Sequence, residues 1–320
     1  MFRIKRVIVG VEMPDSRPWD AANLAPPTRL AVRQAFQVAA AMNASVDLVC
    51  VLPEVSAGLF GNADRFQELA QRDVLEATEV LTDLKQQYTL KFGSGIPVRE
   101  EIAFGRAWLE ILKAAGPDRD NMIICGTRDQ SVVGRLLFGS TGLKLLRNAP
   151  CPVWLVKPRI DDDADMDVLA ATDLTEVGMN IMHAGVALGQ SLPVRLNVLT
   201  VIDDDLDRHM ARAGADESEV RSYRAKLKSD TEEKLHEQLA MTDYRTVAKG
   251  VKTHVAEGSP DACILSAIQE LDIDLLLMAT AARGGIPGML LGNTAERLLP
   301  EIPCSVLAIK PDDFQCPVEF

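Results

Sequence analysis

Two stretches of this chain carry residue types suited to holding a phosphate. Gly126-Thr-Arg-Asp129 is followed, after nine residues, by Gly139-Ser-Thr141. Ala279-Thr-Ala-Ala282 is followed at the same spacing by Gly292-Asn-Thr294. An anion needs backbone N–H groups aimed at it with no side chain in the way. Glycine permits that close approach, and a following helix N-terminus adds partial positive charge. Both Gly139-Ser-Thr141 and Gly292-Asn-Thr294 open helical patterns. Ser140 and Asn293 also have a reading without a ligand, because serine and asparagine are favoured helix N-caps.

The elements that must position these loops occur twice. Gly105 and Gly258, Gly139 and Gly292, Cys151 and Cys304, and Lys157 and Lys310 are each 153 positions apart. A constant offset means an ungapped internal duplication across the C-terminal half of each copy. In copy 1 the hydrophobic periodicity predicts strands at 6–11, 45–52, 97–103, 121–126 and 152–157. It predicts helices at 28–42, 63–88, 106–115 and 140–148. Leu30, Phe36, Val38, Ala39 and Met42 form the inward side of the first helix. Phe66, Leu69, Val74, Leu75, Leu81 and Leu84 form that of the second. Copy 2 repeats the order, with strands at 167–172, 194–201, 252–256, 274–280 and 304–310. Its helices fall near 175–190, 215–241, 260–271 and 293–300. The acidic, turn-prone stretch 159–166 separates a domain at 1–158 from one at 167–320. Alternating strands and helices give a parallel sheet covered on both faces, which fits runs as apolar as Leu275-Leu-Leu-Met278. Ligands of such sheets sit at the carboxyl ends of the strands, near the switch in strand order.

At the loop after the fourth strand, both copies resemble the universal stress protein family. That family's nucleotide signature is Gly, two residues, Gly, nine residues, Gly-Ser/Thr. The tail 291–318 is similar to the end of the family's tandem, E-type members. The resemblance covers essentially the whole chain. It implies two doubly wound five-stranded parallel sheets of strand order 3-2-1-4-5, adenine-nucleotide-hydrolase-like or Rossmann-like, docked through their last strands as an internal pseudo-dimer. It also implies an adenine nucleotide, ATP or a relative, with or without magnesium. The residues carried over are Glu12, Gly126, Thr127, Gly139, Ser140 and Thr141 in copy 1. In copy 2 they are Asp173, Thr280, Arg283, Gly292, Asn293 and Thr294.

Neither signature is intact. Copy 1 keeps Gly126 but has Asp129 for the second glycine and Glu12 where the family has aspartate. A carboxylate ~5 Å from a phosphate charge costs ~3 kcal/mol at an effective dielectric near 20. The helix terminus returns only ~0.3–2 kcal/mol. Asp129 therefore opposes binding unless it turns to solvent, pairs with Arg128 or holds magnesium. Copy 2 has Ala279 and Ala282 in place of both glycines, an overpacking of ~1–3 kcal/mol if the loop cannot move. It keeps Asp173 at the end of its first strand and adds Arg283 beside Gly284-Gly285. On charge alone copy 2 is the preferred site.

The remaining composition narrows the function. A net charge of −12 argues against binding nucleic acid or an anionic membrane. No apolar run approaches the ~18–20 residues of a membrane span, and the apolar start ends at Val11, too early for a signal peptide. Six cysteines without a Cys-x-x-Cys pair predict free thiols, with Cys125 and Cys263 in apolar runs, and a reducing cytoplasm. His209 and His236 fall on a charged helix, His183 on a partly apolar one and His254 in a strand; none shares metal-ligand spacing. Asp161-Asp-Asp163 and Asp203-Asp-Asp205 read as solvated turns. There is no Gly-x-Ser-x-Gly turn, no Gly-x4-Gly-Lys-Ser/Thr loop and no base paired with a nucleophile. The expectation is a cytoplasmic stress-response protein that senses an adenine nucleotide without turnover, slow metal-assisted ATP hydrolysis staying open. The rival is a nucleotide-free scaffold or apolar-ligand binder with Phe60, Phe66 and Met210 as lining. Association beyond the internal pair stays open.

Overall fold

The computed structural model describes residues 2–54, 63–127, 138–158, 165–203, 216–280 and 291–319, the side chains of 63–67 excepted. Residues 3–158 with 315–319 make one compact unit, and 165–314 with Phe2 the other.

In the first unit the chain runs β1 (Arg6–Gly10), α1 (Pro26–Met42), β2 (Ser45–Leu52), α2 (Ala63–Phe92) and β3 (Val98–Phe104). It continues through α3 (Ala107–Ala115), β4 (Asn121–Gly126), α4 (Ser140–Asn148) and β5 (Val153–Val156). All pairings are parallel, in the order β3-β2-β1-β4-β5. β4 and β5 are buried along almost their whole length, as expected for strands covered on both faces. α1 and α2 pack together on one face and α3 and α4 on the other. The winding reverses between β1 and β4, which opens the crevice where ligands of this architecture sit.

The second unit repeats the plan. Its elements are β6 (Met166–Thr172), α5 (Glu176–Ser191), β7 (Val194–Ile202), α6 (Glu217–Ala240), β8 (Val251–Glu257), α7 (Pro260–Glu270), β9 (Leu275–Ala279), α8 (Asn293–Leu298) and β10 (Ser305–Ile309). The order is β8-β7-β6-β9-β10, again all parallel.

Two details differ from the periodicity reading. α1 starts at Pro26, ahead of 28, because two prolines fill its first positions, where a missing N–H costs nothing. In α2 the inward residues are Ala77, Val80, Leu81 and Leu84, spaced by three and four. Leu69 and Leu75 instead lie 46% and 61% exposed, and the Phe66 side chain lies outside the described residues. In α6 only Leu235 and Leu239 are buried, and Arg224 and Lys228 of its earlier turns pair with Glu257 of β8. Asp216 caps it, accepting from the N–H groups of Ser218 and Glu219, while Glu219 accepts from the Asp216 N–H.

Candidate ligand cleft

A cleft of about 240 Å³ lies at the carboxyl ends of β1, β2 and β4 in the first unit. That is just below the ~300–1,000 Å³ usual for small-molecule sites. One wall is apolar, built from Val49, Val51, Ile111 and Leu155. The polar side brings together Thr28, Thr127, Thr141 and the Gly139 backbone at the start of α4, with Glu12 beside them.

The start of α4 decides between the two readings of Gly139-Ser-Thr141. The N-cap is Gly139 itself (φ −60°), no side chain caps the helix, and Ser140 is its first helical residue. Serine capping is therefore not what this position does. Among the described residues, no acceptor meets the Gly139 N–H. Thr127 lines the same cleft; it is 6% exposed, and its hydroxyl is buried with no hydrogen-bond partner among those residues. Backbone donors that meet no acceptor among the described residues, and an unsatisfied hydroxyl, around one cavity are the provisions an anionic ligand needs.

Gly126 has a different job from the one its type suggests. A Cβ there would lie 2.6 Å from the Pro27 carbonyl carbon and 2.8 Å from both the Pro27 oxygen and the Thr28 nitrogen. The space beside its Cα is filled by the first turn of α1, so this glycine serves helix–strand packing as well as the cleft. Cys125 also lines the cleft, but burial pushes its thiol up to about 12, so it stays protonated and unreactive at neutral pH.

In the second unit the corresponding residues meet differently. The Gly292 N–H, at the N-cap of α8, donates to the Thr280 carbonyl at 3.3 Å. Asn293 is the first helical residue and caps nothing, so the capping reading fails here too. Thr294 follows it. Thr280 is fully buried, with an unpartnered hydroxyl among the described residues. Asp173, exposed beyond β6, accepts from the Thr175 N–H (3.0 Å) and hydroxyl (2.5 Å) and so holds the start of α5. Arg283 and Ala282 lie outside the described residues, as do Arg128, Asp129, Phe60, His209 and Met210.

Sequence reasoning passed over Gly10, Thr28, Val49, Gly105 and Ile111, all of which line the cleft. Gly105 left a signal: it and Gly258 share φ values of 133° and 137°, a conformation side chains rarely adopt, and they sit 153 positions apart. Thr28 left none, because only the fold brings α1 against β4. Three of the four histidines fall among the described residues. His254 bonds Asn197 Oδ1 at 3.1 Å, His236 meets the Thr253 hydroxyl at 3.3 Å, and His183 is half-buried. Burial lowers the pKa of both His183 and His254. All six cysteines are free, with Cys263 only half-buried. Among the described residues no group of three or more His, Cys, Asp or Glu could hold a metal, and no helix is long and apolar enough to cross a membrane.

Two doubly wound parallel sheets, with a cleft at the switch point of the first, define the class. The Universal stress protein family model matches residues 21–157 and 166–310, and the chain belongs to that family. Its duplication makes it a tandem member similar to universal stress protein E. It is 25% identical to the Photorhabdus laumondii protein of that name over 261 residues, covering 74% of this chain and 76% of the relative. It is 21% identical to the Escherichia coli K12 protein over 255 residues, with the same coverage. A protein of unknown function from Pseudomonas aeruginosa PAO1 shares the fold with a TM-score of 0.63 and 21% identity, over 97% of this chain and 94% of that one. A universal stress protein from Archaeoglobus fulgidus does so with a TM-score of 0.58 and 16% identity, over 95% and 98%.

Proposed function

We propose that this stress-response protein binds an adenine nucleotide in the cleft of its first unit and acts through the bound state rather than through turnover. The observation that carries the reading is the uncapped start of α4 beside the unpartnered Thr127 hydroxyl. Phosphate oxygens accept from the Gly139 and Ser140 N–H groups and from Thr127, while the base lies along the apolar wall of Val49, Val51 and Ile111. Ser140 acts here through its backbone and Glu12 lies beside the ligand. Magnesium, where present, comes in with the phosphates rather than on a preformed protein site.

Binding without turnover is supported by the cleft's lining, which among the described residues pairs no base with a nucleophile and whose thiol is held protonated. Free thiols support a reducing cytoplasm. A net charge of −12 supports a small-molecule ligand over nucleic acid or a membrane surface.

Calorimetric titration with ATP, ADP and AMP, each with and without magnesium, tests the proposal. Saturable heat at micromolar to sub-millimolar concentration is the expected result, with no phosphate release over hours. Silence up to millimolar concentration would remove the nucleotide. The apolar wall favours one rival, a small apolar ligand. Native mass spectrometry of freshly purified protein separates the two by the mass that stays bound.

A further inference from the structure

We infer that Lys157, buried behind the start of α4, is a counter-charge for the phosphates held in the cleft of the first unit. The inference rests on the nucleotide reading above and adds a residue that answers the ligand's charge.

Among the described residues that line the cleft there is no lysine or arginine, and Glu12 brings a carboxylate. Backbone N–H groups and the Thr127 hydroxyl can direct phosphate oxygens, but a helix terminus carries only about half an elementary charge. Lys157 places a whole one just behind that lining. β4 and β5 run side by side with Gly126 opposite Val156. The Thr127 N–H continues the ladder, donating to the Val156 carbonyl at 2.9 Å. Thr127 and Lys157 are therefore neighbours at two adjoining strand ends, where strands lie ~4.8 Å apart. The Lys157 Nζ lies 4.5 Å from the centre of the Phe138 ring. Phe138 is buried and directly precedes Gly139, the N-cap of α4. Lys157 thus touches the segment that carries the Gly139 donor and borders the residue that carries the Thr127 hydroxyl.

Burial makes the choice of lysine informative. Lys157 is only 2% exposed. Taking an ammonium group out of water is costly, and methionine would fill the same space without that cost. The Phe138 ring offsets part of it. The second unit keeps the same combination 153 positions on: Lys310 is buried and follows Ile309, whose carbonyl accepts from the Thr280 N–H at 3.3 Å. The shielding ring, however, comes from a different place. Phe138 precedes a helix, whereas Phe314, 4.6 Å from the Lys310 Nζ, follows β10. What recurs is a positive charge beside a strand-end threonine, not a fixed packing partner.

Lys157→Met removes the charge at nearly constant volume, and Lys157→Gln removes it while keeping a polar end. Calorimetric titration of the full chain with ATP, AMP and adenosine reads the effect as a series. In both variants the loss should grow with the ligand's charge: about tenfold or more for ATP, less for AMP, and under about twofold for adenosine. A lysine that only fills space would weaken all three alike. In the wild type, ATP should bind more tightly than adenosine, and the reverse order would by itself overturn the counter-charge. An equal loss across the series, or an unchanged ATP affinity in either variant, would overturn it too and leave nucleotide binding standing. No heat from the wild-type chain with any of the three would overturn both.

Discussion

Gly126→Ala separates two jobs that a glycine at the end of β4 could perform. If it only admits phosphate, an added methyl group blocks the ligand and leaves the fold alone. The structure argues otherwise. The new Cβ would sit 2.6 Å from the Pro27 carbonyl carbon, where ordinary contact needs 3.4 Å or more, so α1 must retreat by nearly 1 Å. The obstacle is helix backbone, which cannot swing aside. The turn that must move carries Pro27 and Thr28, both buried. Overpacking of this kind costs about 1–3 kcal/mol, or roughly 5- to 150-fold in the folding equilibrium. Gly10→Ala is the control: its methyl would meet only the ends of the Ile111 and Cys125 side chains, at 2.9 and 3.0 Å. Urea denaturation followed by circular dichroism should show Gly126→Ala unfolding well before wild type, with Gly10→Ala in between. Wild-type stability in Gly126→Ala, together with lost nucleotide binding, would refute the packing argument.

Three further outcomes follow from the same reasoning. Lys310 is buried over the Phe314 ring, 4.6 Å from its centre, and burial lowers its pKa from 10.5 to about 7. The unfolded chain holds that proton more tightly, so the folded state loses stability as pH falls from 10.5 towards 7. The loss has an upper limit of roughly 5 kcal/mol, which the ring partly offsets. Lys310→Met should therefore be more stable than wild type at pH 7, with the gap closing towards pH 10; a gap independent of pH would contradict this. Asp216→Ala should lower helical ellipticity by fraying the exposed start of α6. Because its hydrogen bonds to Ser218 and Glu219 hold the Asp216 carboxyl below its usual range, wild type should fray the same way only when acid protonates that group. Asp129→Gly, which restores the family's second glycine, should tighten nucleotide binding, and unchanged affinity would mean this carboxylate never faces the phosphates.

Much of the architecture was legible because it is written locally. Strand and helix limits read from periodicity agree with the structure within about two residues for most elements, and the 153-residue offset announced a second copy of the fold. Local pattern failed where burial depends on what a helix meets. Leu69 and Leu75 carry the apolar signal of α2 yet face outward. Within the cleft, residue types pointed to Gly139, Thr127 and Glu12, but nothing in the chain announced Thr28 or Ile111, which arrive from other elements.

By itself the sequence determined two wound sheets, their strand-end loops and residues able to meet an anion there, since side-chain alternation and glycine placement act over a few neighbours. The tertiary structure decided that Ser140 and Asn293 cap nothing, that Gly126 answers to Pro27, and that the Gly292 N–H is spent on the Thr280 carbonyl. Whether a backbone donor stays open or finds an internal partner depends on where distant segments come to rest, and no spacing along the chain encodes that distance.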